Sequence, residues 1–134
     1  MTIGYDQAAS AGQYVYSPQP YAGHVDLRFY VSIEADYVAW GRVSADSYGT
    51  DSFWVVVDGG PQALWDIPIG PWTWSPVTDR SAGIQKYHLV PGWHQVRVLA
   101  REPGARLDTL ELRRSGGMPT PSRCFLYLPA VLKK

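Results

Sequence analysis

The chain predicts an all-β fold, a two-sheet antiparallel β-sandwich, and three observations carry that prediction. Short β-branched and aromatic runs recur at regular spacing, Gly, Pro, Asp and Ser separate them, and no stretch holds the apolar period of an amphipathic helix. With 134 residues, 46% of them apolar, a single hydrophobic core suffices without disulfides or a structural metal.

Residues 12–16 read as a short first strand, ended by Ser17-Pro18-Gln19-Pro20, where two prolines remove ladder donors. The clearest alternation follows, with Val25, Leu27, Phe29 and Val31 set against Asp26, Arg28 and Tyr30, the pattern of a strand with one buried face. Glu34-Ala35-Asp36 turns the chain into residues 37–43, apolar except for Arg42 and therefore suited to a centre covered on both faces. After a polar loop over 44–51, residues 52–58 form a strand closed by Asp58-Gly59-Gly60, a strong hairpin signal, and 62–67 is its partner. Residues 68–76 hold three prolines and two tryptophans and read as a loop. Residues 84–90, 93–101 and 106–112, joined by Pro91-Gly92 and Pro103-Gly104, read as a three-stranded meander.

Residues 115–122 have linker composition, which divides a sandwich over 1–114 from an apolar tail over 123–134. The strand-like run 124–132 either docks on a sheet edge or pairs with another copy, the route by which a homo-oligomer would form. About nine strands with long connections favour a jelly roll over a small closed barrel. Met1 leads directly into Thr2-Ile3-Gly4-Tyr5-Asp6, which reads as the middle of a domain, so an excised segment is expected.

Twelve basic residues balance twelve acidic ones without a Lys/Arg cluster, which argues against nucleic acid or anionic lipid as partners. No run of about 18 apolar residues occurs to span a membrane. Cys124, the single cysteine, reads as a small buried apolar residue beside Phe125 and Leu126. His24, His88 and His94 match no metal-ligand or triad spacing and read as strand or surface residues. The carboxylates offer no motif-like pair for hydrolysis, so the chain is expected to be non-catalytic and to need no cofactor.

The aromatics carry more. Trp40, Phe53 and Trp54, on central strands, read as core packing. Trp72 and Trp74 stand apart in a Pro/Gly-rich segment, where two indoles call for a partner. A pyranose presents a face of C–H groups to an indole while its hydroxyls seek polar groups around the rim, so a glycan is the chemistry that fits.

Four linked segments, Asp6 to Val15, Tyr37-Val38-Ala39-Trp40-Gly41-Arg42-Val43, Asp51 to Gly60, and Gly92-Trp93-His94-Gln95-Val96-Arg97-Val98 through Arg101-Glu102-Pro103-Gly104 to Leu110, resemble carbohydrate-binding modules of the family 6 and 35 type. The likeness runs over about residues 3–112 in the same order. It implies a galactose-binding-like jelly roll that binds polysaccharide at loops on one end of the sandwich. Tyr16 and Trp72 or Trp74 stand where that resemblance places the aromatic platform. Arg106 stands where relatives carry an Asn for sugar hydroxyls, and its guanidinium would favour an acidic sugar. Asp108 matches the acidic ligand of a structural calcium, although the Glu-Ala-Glu strand that completes such a site is absent. The tail over 123–134 is similar to C-terminal segments of secreted bacterial proteins, so a secreted, extracellular protein is expected. The tail is also a candidate to fill the missing strand's place.

Overall fold

The computed structural model describes residues 1–21 and 23–115, together with the backbone of Cys124–Tyr127. The order is β1 (Thr2–Tyr5), β2 (Gln13–Tyr16), β3 (His24–Val31), β4 (Ala35–Ala45), β5 (Ser52–Val57), β6 (Gln62–Asp66) and β7 (Gly70–Pro76). The short β8 (Thr78–Asp79), β9 (Gly83–Ile84) and β10 (Tyr87–Leu89) follow, then β11 (Gly92–Ala100), β12 (Arg106–Arg114) and β13 (Cys124–Tyr127).

Two antiparallel sheets face each other. The larger runs β1-β2-β12-β4-β10, with β7 also pairing β4 and β13 also pairing β12; the smaller runs β3-β11-β5-β6. Inward residues of both sheets, Val15, Tyr37, Val43, Leu107, Leu110 and Leu112 from one and Leu27, Phe29, Phe53, Val55, Trp65 and Val98 from the other, make one core. This is the all-β jelly-roll sandwich that the strand spacing predicts.

The local signals landed where chemistry forces a conformation. In the β5–β6 hairpin Asp58 and Gly59 both take positive φ, 51° and 69°, and the Gly60 amide donates to the Val57 carbonyl at 2.9 Å, the two-residue turn that Asp-Gly favours. The alternation of β3 is buried and open in strict turn.

Four readings are corrected. The meander over 84–112 is absent as a pairing: β10 joins β4, β11 joins β3 and β5, and β12 joins β4 and β2. The Pro-Gly turns carry the chain across from one sheet to the other, and turn chemistry reports a reversal without saying which sheet receives the next strand. Residues 70–76 form a strand, with β7 pairing β4 from Trp40↔Pro76 to Ala45↔Gly70. β7 lies at an edge over this span, and its prolines, Pro71 and Pro76, sit near its ends, where a missing N–H is tolerated. Third, β1 precedes the expected first strand and pairs β2 from Thr2↔Tyr16 to Tyr5↔Gln13. Fourth, Trp40 and Trp54 lie half-buried on outer faces, and the core indole is Trp65, fully buried. Gly41 makes that possible, because a Cβ there would fall 2.4 Å from the Trp65 ring.

The tail strand β13 pairs with β12 of its own chain, Thr109↔Tyr127 to Leu112↔Cys124, on the side of β12 that β2 occupies at Leu107. The linker proposed over 115–122 lies outside the described residues beyond Ser115, as do the rest of the tail and the burial of Cys124.

Candidate functional site

The outer face of the larger sheet collects the aromatic and charged residues that the core excludes. On β2 the inward residue is Val15, so Tyr14 and Tyr16 both point outward, their ring centroids 5.8 Å apart. Gly4, directly opposite Tyr14 on β1, leaves the space that the Tyr14 ring fills; a Cβ there would stand 2.3 Å from it. Tyr14 in turn meets Trp72 of β7, centroid to centroid 5.4 Å at 59°. The hydroxyls of Tyr14 and Tyr16 have no hydrogen-bond partner among the described residues, so both are available to a ligand.

Trp72 is held on its other sides. Its Nε1 donates to Asp6 Oδ2 at 2.9 Å, and the Arg42 guanidinium lies 5.6 Å from its ring centre. The Ala8 amide and then the Trp72 indole N–H hold the Asp6 carboxyl below the ordinary carboxylate range, with the positive charges of Arg106 and Arg42 adding. Arg42 also donates from Nη1 to Asp108 Oδ2 at 2.6 Å, and the Ser10 amide donates to the same oxygen at 2.8 Å. Asp108 is completely buried at the irregularity where β12 slips register against β4 between Leu107 and Thr109.

Arg106 begins β12, one residue before the Val15↔Leu107 pair, which sets it beside Tyr16 on one flank and against its partner Ser44 on the other. Its guanidinium donates to both carboxylate oxygens of Asp46, at 2.6 and 3.2 Å, and to Ser44 Oγ at 2.9 Å. The hydrogen bond and charge of Arg106 hold the Asp46 carboxyl below its usual range. The fork is thus engaged by Asp46, a carboxylate of its own chain.

Trp74 shares the face of Trp72 two residues along β7, but its partner is different. The Arg113 guanidinium lies 5.3 Å from the Trp74 ring centre and 4.5 Å from that of Trp40. Of the predicted residues, Tyr16, Trp72 and Arg106 therefore gather at one end of the face, and Trp74 belongs to a neighbouring stack. Sequence reasoning missed Tyr14, Asp6, Arg42 and Asp46; only Tyr14 left a signal, being two residues from Tyr16 on one strand. An open cleft of about 260 Å³ at this end is lined by Met1, Thr2, Ser17, Pro18, Gln19 and Gly23 rather than by the aromatic rings.

The residues present do not fit the calcium expected at Asp108. Calcium requires about six to eight oxygens. Here one carboxylate oxygen already holds a guanidinium and an amide, and among the described residues no three His, Cys, Asp or Glu side chains converge on a metal position. Among the described residues no helix is long and apolar enough to cross a membrane.

No family model and no curated protein matches the chain. Solved structures do. An exo-β-1,3-galactanase of Phanerochaete chrysosporium, solved with β-1,3-galactotriose, superposes with a TM-score of 0.68 at 20% identity over 84% of this chain, which spans 26% of the enzyme. A family 35 carbohydrate-binding module from an environmental isolate gives a TM-score of 0.68 at 15% identity, covering 89% of this chain and 86% of the module. A family 35 module from Clostridium thermocellum gives 0.65 at 16% identity, covering 83% and 85%. The chain thus spans about a quarter of the galactanase, and its fold is that of the family 35 carbohydrate-binding modules, which it matches over most of their length.

Proposed function

We propose that the chain is a non-catalytic carbohydrate-binding module of a secreted protein, and that a polysaccharide packs on Tyr14, Tyr16 and Trp72. The observation that carries this reading is the aromatic platform itself. Three rings lie at 5.4 and 5.8 Å spacing on a sheet face, with two phenol hydroxyls that have no hydrogen-bond partner among the described residues. Pyranose C–H groups pack on the rings, while Asp6, Asp46 and Arg106 at the margin exchange hydrogen bonds with hydroxyls. The modules that share this fold support the same reading.

Because Asp6 and Arg42 clamp Trp72, and Gly4 accommodates Tyr14, the platform is held before the ligand arrives, so little side-chain entropy is lost on binding. Arg106 and Asp46 neutralise each other, which suits hydroxyls of an uncharged sugar. Affinity for a single chain is expected at roughly micromolar to millimolar, since sugar hydroxyls exchange water bonds for protein bonds. Binding is expected to survive a chelator, because Arg42 is the counter-ion of Asp108.

Titration of the chain with a panel of neutral and acidic polysaccharides, followed by tryptophan fluorescence, tests the reading. Saturable binding that is lost in Trp72→Ala and Tyr16→Ala is the expected result. A folded chain that binds no neutral glycan of the panel would overturn it.

A further inference from the structure

His94 stands near the start of β11, the strand whose other end leads through residues 101–105 to Arg106, and it faces inward beside its cross-strand partner Phe29. Its side chain is only 10% exposed. The ring lies between two oxygens. Nδ1 is 2.6 Å from Asp58 Oδ2 in the β5–β6 turn, and Nε2 is 2.6 Å from the Val90 carbonyl in the turn between β10 and β11. One side chain therefore ties two turns to each other.

A neutral imidazole has a single N–H and donates at one nitrogen only. At the other nitrogen a lone pair would then face an oxygen at 2.6 Å, which is repulsive. Both contacts are bonds only when the ring is an imidazolium. Burial opposes that charge, but the hydrogen bonds to Asp58 and Val90 and the charge of Asp58 outweigh it and hold the pKa above the ordinary 6.5. Asp58 is the charged group that acts on the ring. Phe29 on β3 carries no charge, and on β10 His88 is engaged by Glu34 and Asp36.

The two contacts are not equal. The Asp58 amide donates to the Gln95 carbonyl at 2.8 Å, and Asp58 Oδ1 accepts from the Gln95 amide at 2.8 Å, so Asp58 is fixed to β11. A carboxylate is also the stronger acceptor, and a neutral ring keeps its proton on Nδ1. The bond that fails on deprotonation is the one to Val90. Between the ladders that end at Leu89 and begin at Gly92, Val90 is 49% exposed and Pro91 has no N–H to donate. The exposed Trp93 follows directly.

We propose that His94 is a pH-sensitive latch, which as an imidazolium closes the 90–92 turn onto the turn at Asp58 and on losing its proton releases it. Closure is complete below pH 6.5 while Asp58 stays ionised, and it is lost as pH rises through the folded value. The latch shares no residue with Tyr14, Tyr16 and Trp72 and does not depend on the glycan reading.

Nuclear magnetic resonance of the intact chain between about pH 5 and pH 9 tests it. The His94 ring is expected to titrate above 6.5, with the Gly92 amide and the Trp93 indole N–H shifting at the same midpoint. Asp58→Asn keeps a residue that tolerates the positive φ of 51° there, and it should lower the proton affinity of His94 about tenfold, the turn signals following. In His94→Gln those signals should no longer move at that midpoint, and in His88→Asn they should move as in the parent. A His94 ring that titrates at or below 6.5, or whose midpoint is unchanged in Asp58→Asn, overturns the proposal. So do turn signals that stay still while the ring titrates, or that lose their response in His88→Asn.

Discussion

The outer faces of the two sheets use the same materials, indoles, phenols and guanidinium groups, and arrange their charges differently. On the larger sheet Arg42 is bonded to buried Asp108, Arg106 to Asp46 and Arg113 to Glu111, and each of the three aromatic rings that would meet a sugar touches another ring. On the smaller sheet Arg97 is bonded to Asp26, while Arg28, which has no ion pair among the described residues, lies over the Trp93 ring. The arginines named on the first face are paired with carboxylates, whereas on the second Arg28 lies over the exposed Trp93 indole. A face whose charges are satisfied internally can select a ligand only by shape and hydroxyl contacts.

The largest expected effect lies in how deeply each face anchors its ion pairs. Asp108→Ala removes the partner of Arg42, whose side chain is only 23% exposed, and leaves the Ser10 amide without its acceptor. It should destabilise the fold by about 3 kcal/mol, read by chemical denaturation. Arg97→Ala, breaking a solvent-screened pair at the surface of the other sheet, should cost far less. Similar costs for the two variants would mean that the buried pair anchors nothing.

The rings should differ in the same sense. Trp72→Ala removes a half-buried indole and its hydrogen bond to Asp6 and is expected to cost about 1–2 kcal/mol, whereas Trp93→Ala on the open face should cost about 0.5 kcal/mol or less. Gly4→Ala probes the clamp without replacing a ligand-facing residue. The new methyl would occupy the place of the Tyr14 ring, so binding of a neutral glycan should fall severalfold. An unchanged neutral-glycan affinity would show that Tyr14 is not part of the platform.

The comparison also shows which features could be read from the chain. Local constraints were legible: Asp58-Gly59 dictates its turn, and the alternation from Val25 to Val31 dictates which side of β3 is buried. Phase was not legible where apolar residues run on. Phe53 and Trp54 are neighbours on one strand and so must point to opposite faces, yet nothing in the continuous apolar run said that Phe53 goes in and Trp54 out. Strand partners across the two sheets were equally silent, because Pro91-Gly92 and Pro103-Gly104 serve a hairpin and a crossing alike. Tyr16, Trp72 and Arg106 fall at one end of the larger sheet. The partners that set their behaviour do not show in sequence: Asp6 lies 66 residues from Trp72, and Asp46 lies 60 from Arg106. Arg106 looked like a free guanidinium until Asp46 was beside it.

The smallest effect concerns a charge cluster at the far end of the larger sheet, where β10 meets the start of β4. When protonated, His88 donates from Nε2 to Glu34 Oε2 at 2.8 Å and from Nδ1 to Asp36 Oδ1 at 2.9 Å, and these bonds, that to Glu34 first, raise its pKa above the ordinary 6.5. A raised folded-state pKa means that the protonated ring favours the folded chain. That contribution is fully present below pH 6.5, so long as the two carboxylates stay ionised, and it is lost as pH rises through the folded value. The site is open to solvent, so the contribution is small. The intact chain should therefore melt at a slightly lower temperature at about pH 8 than at about pH 6, and His88→Asn should abolish that part of the difference. If the variant keeps the whole pH dependence, the ring is not held by Glu34 and Asp36, and the slope comes from other titrating groups such as His94, which Asp58 contacts at 2.6 Å.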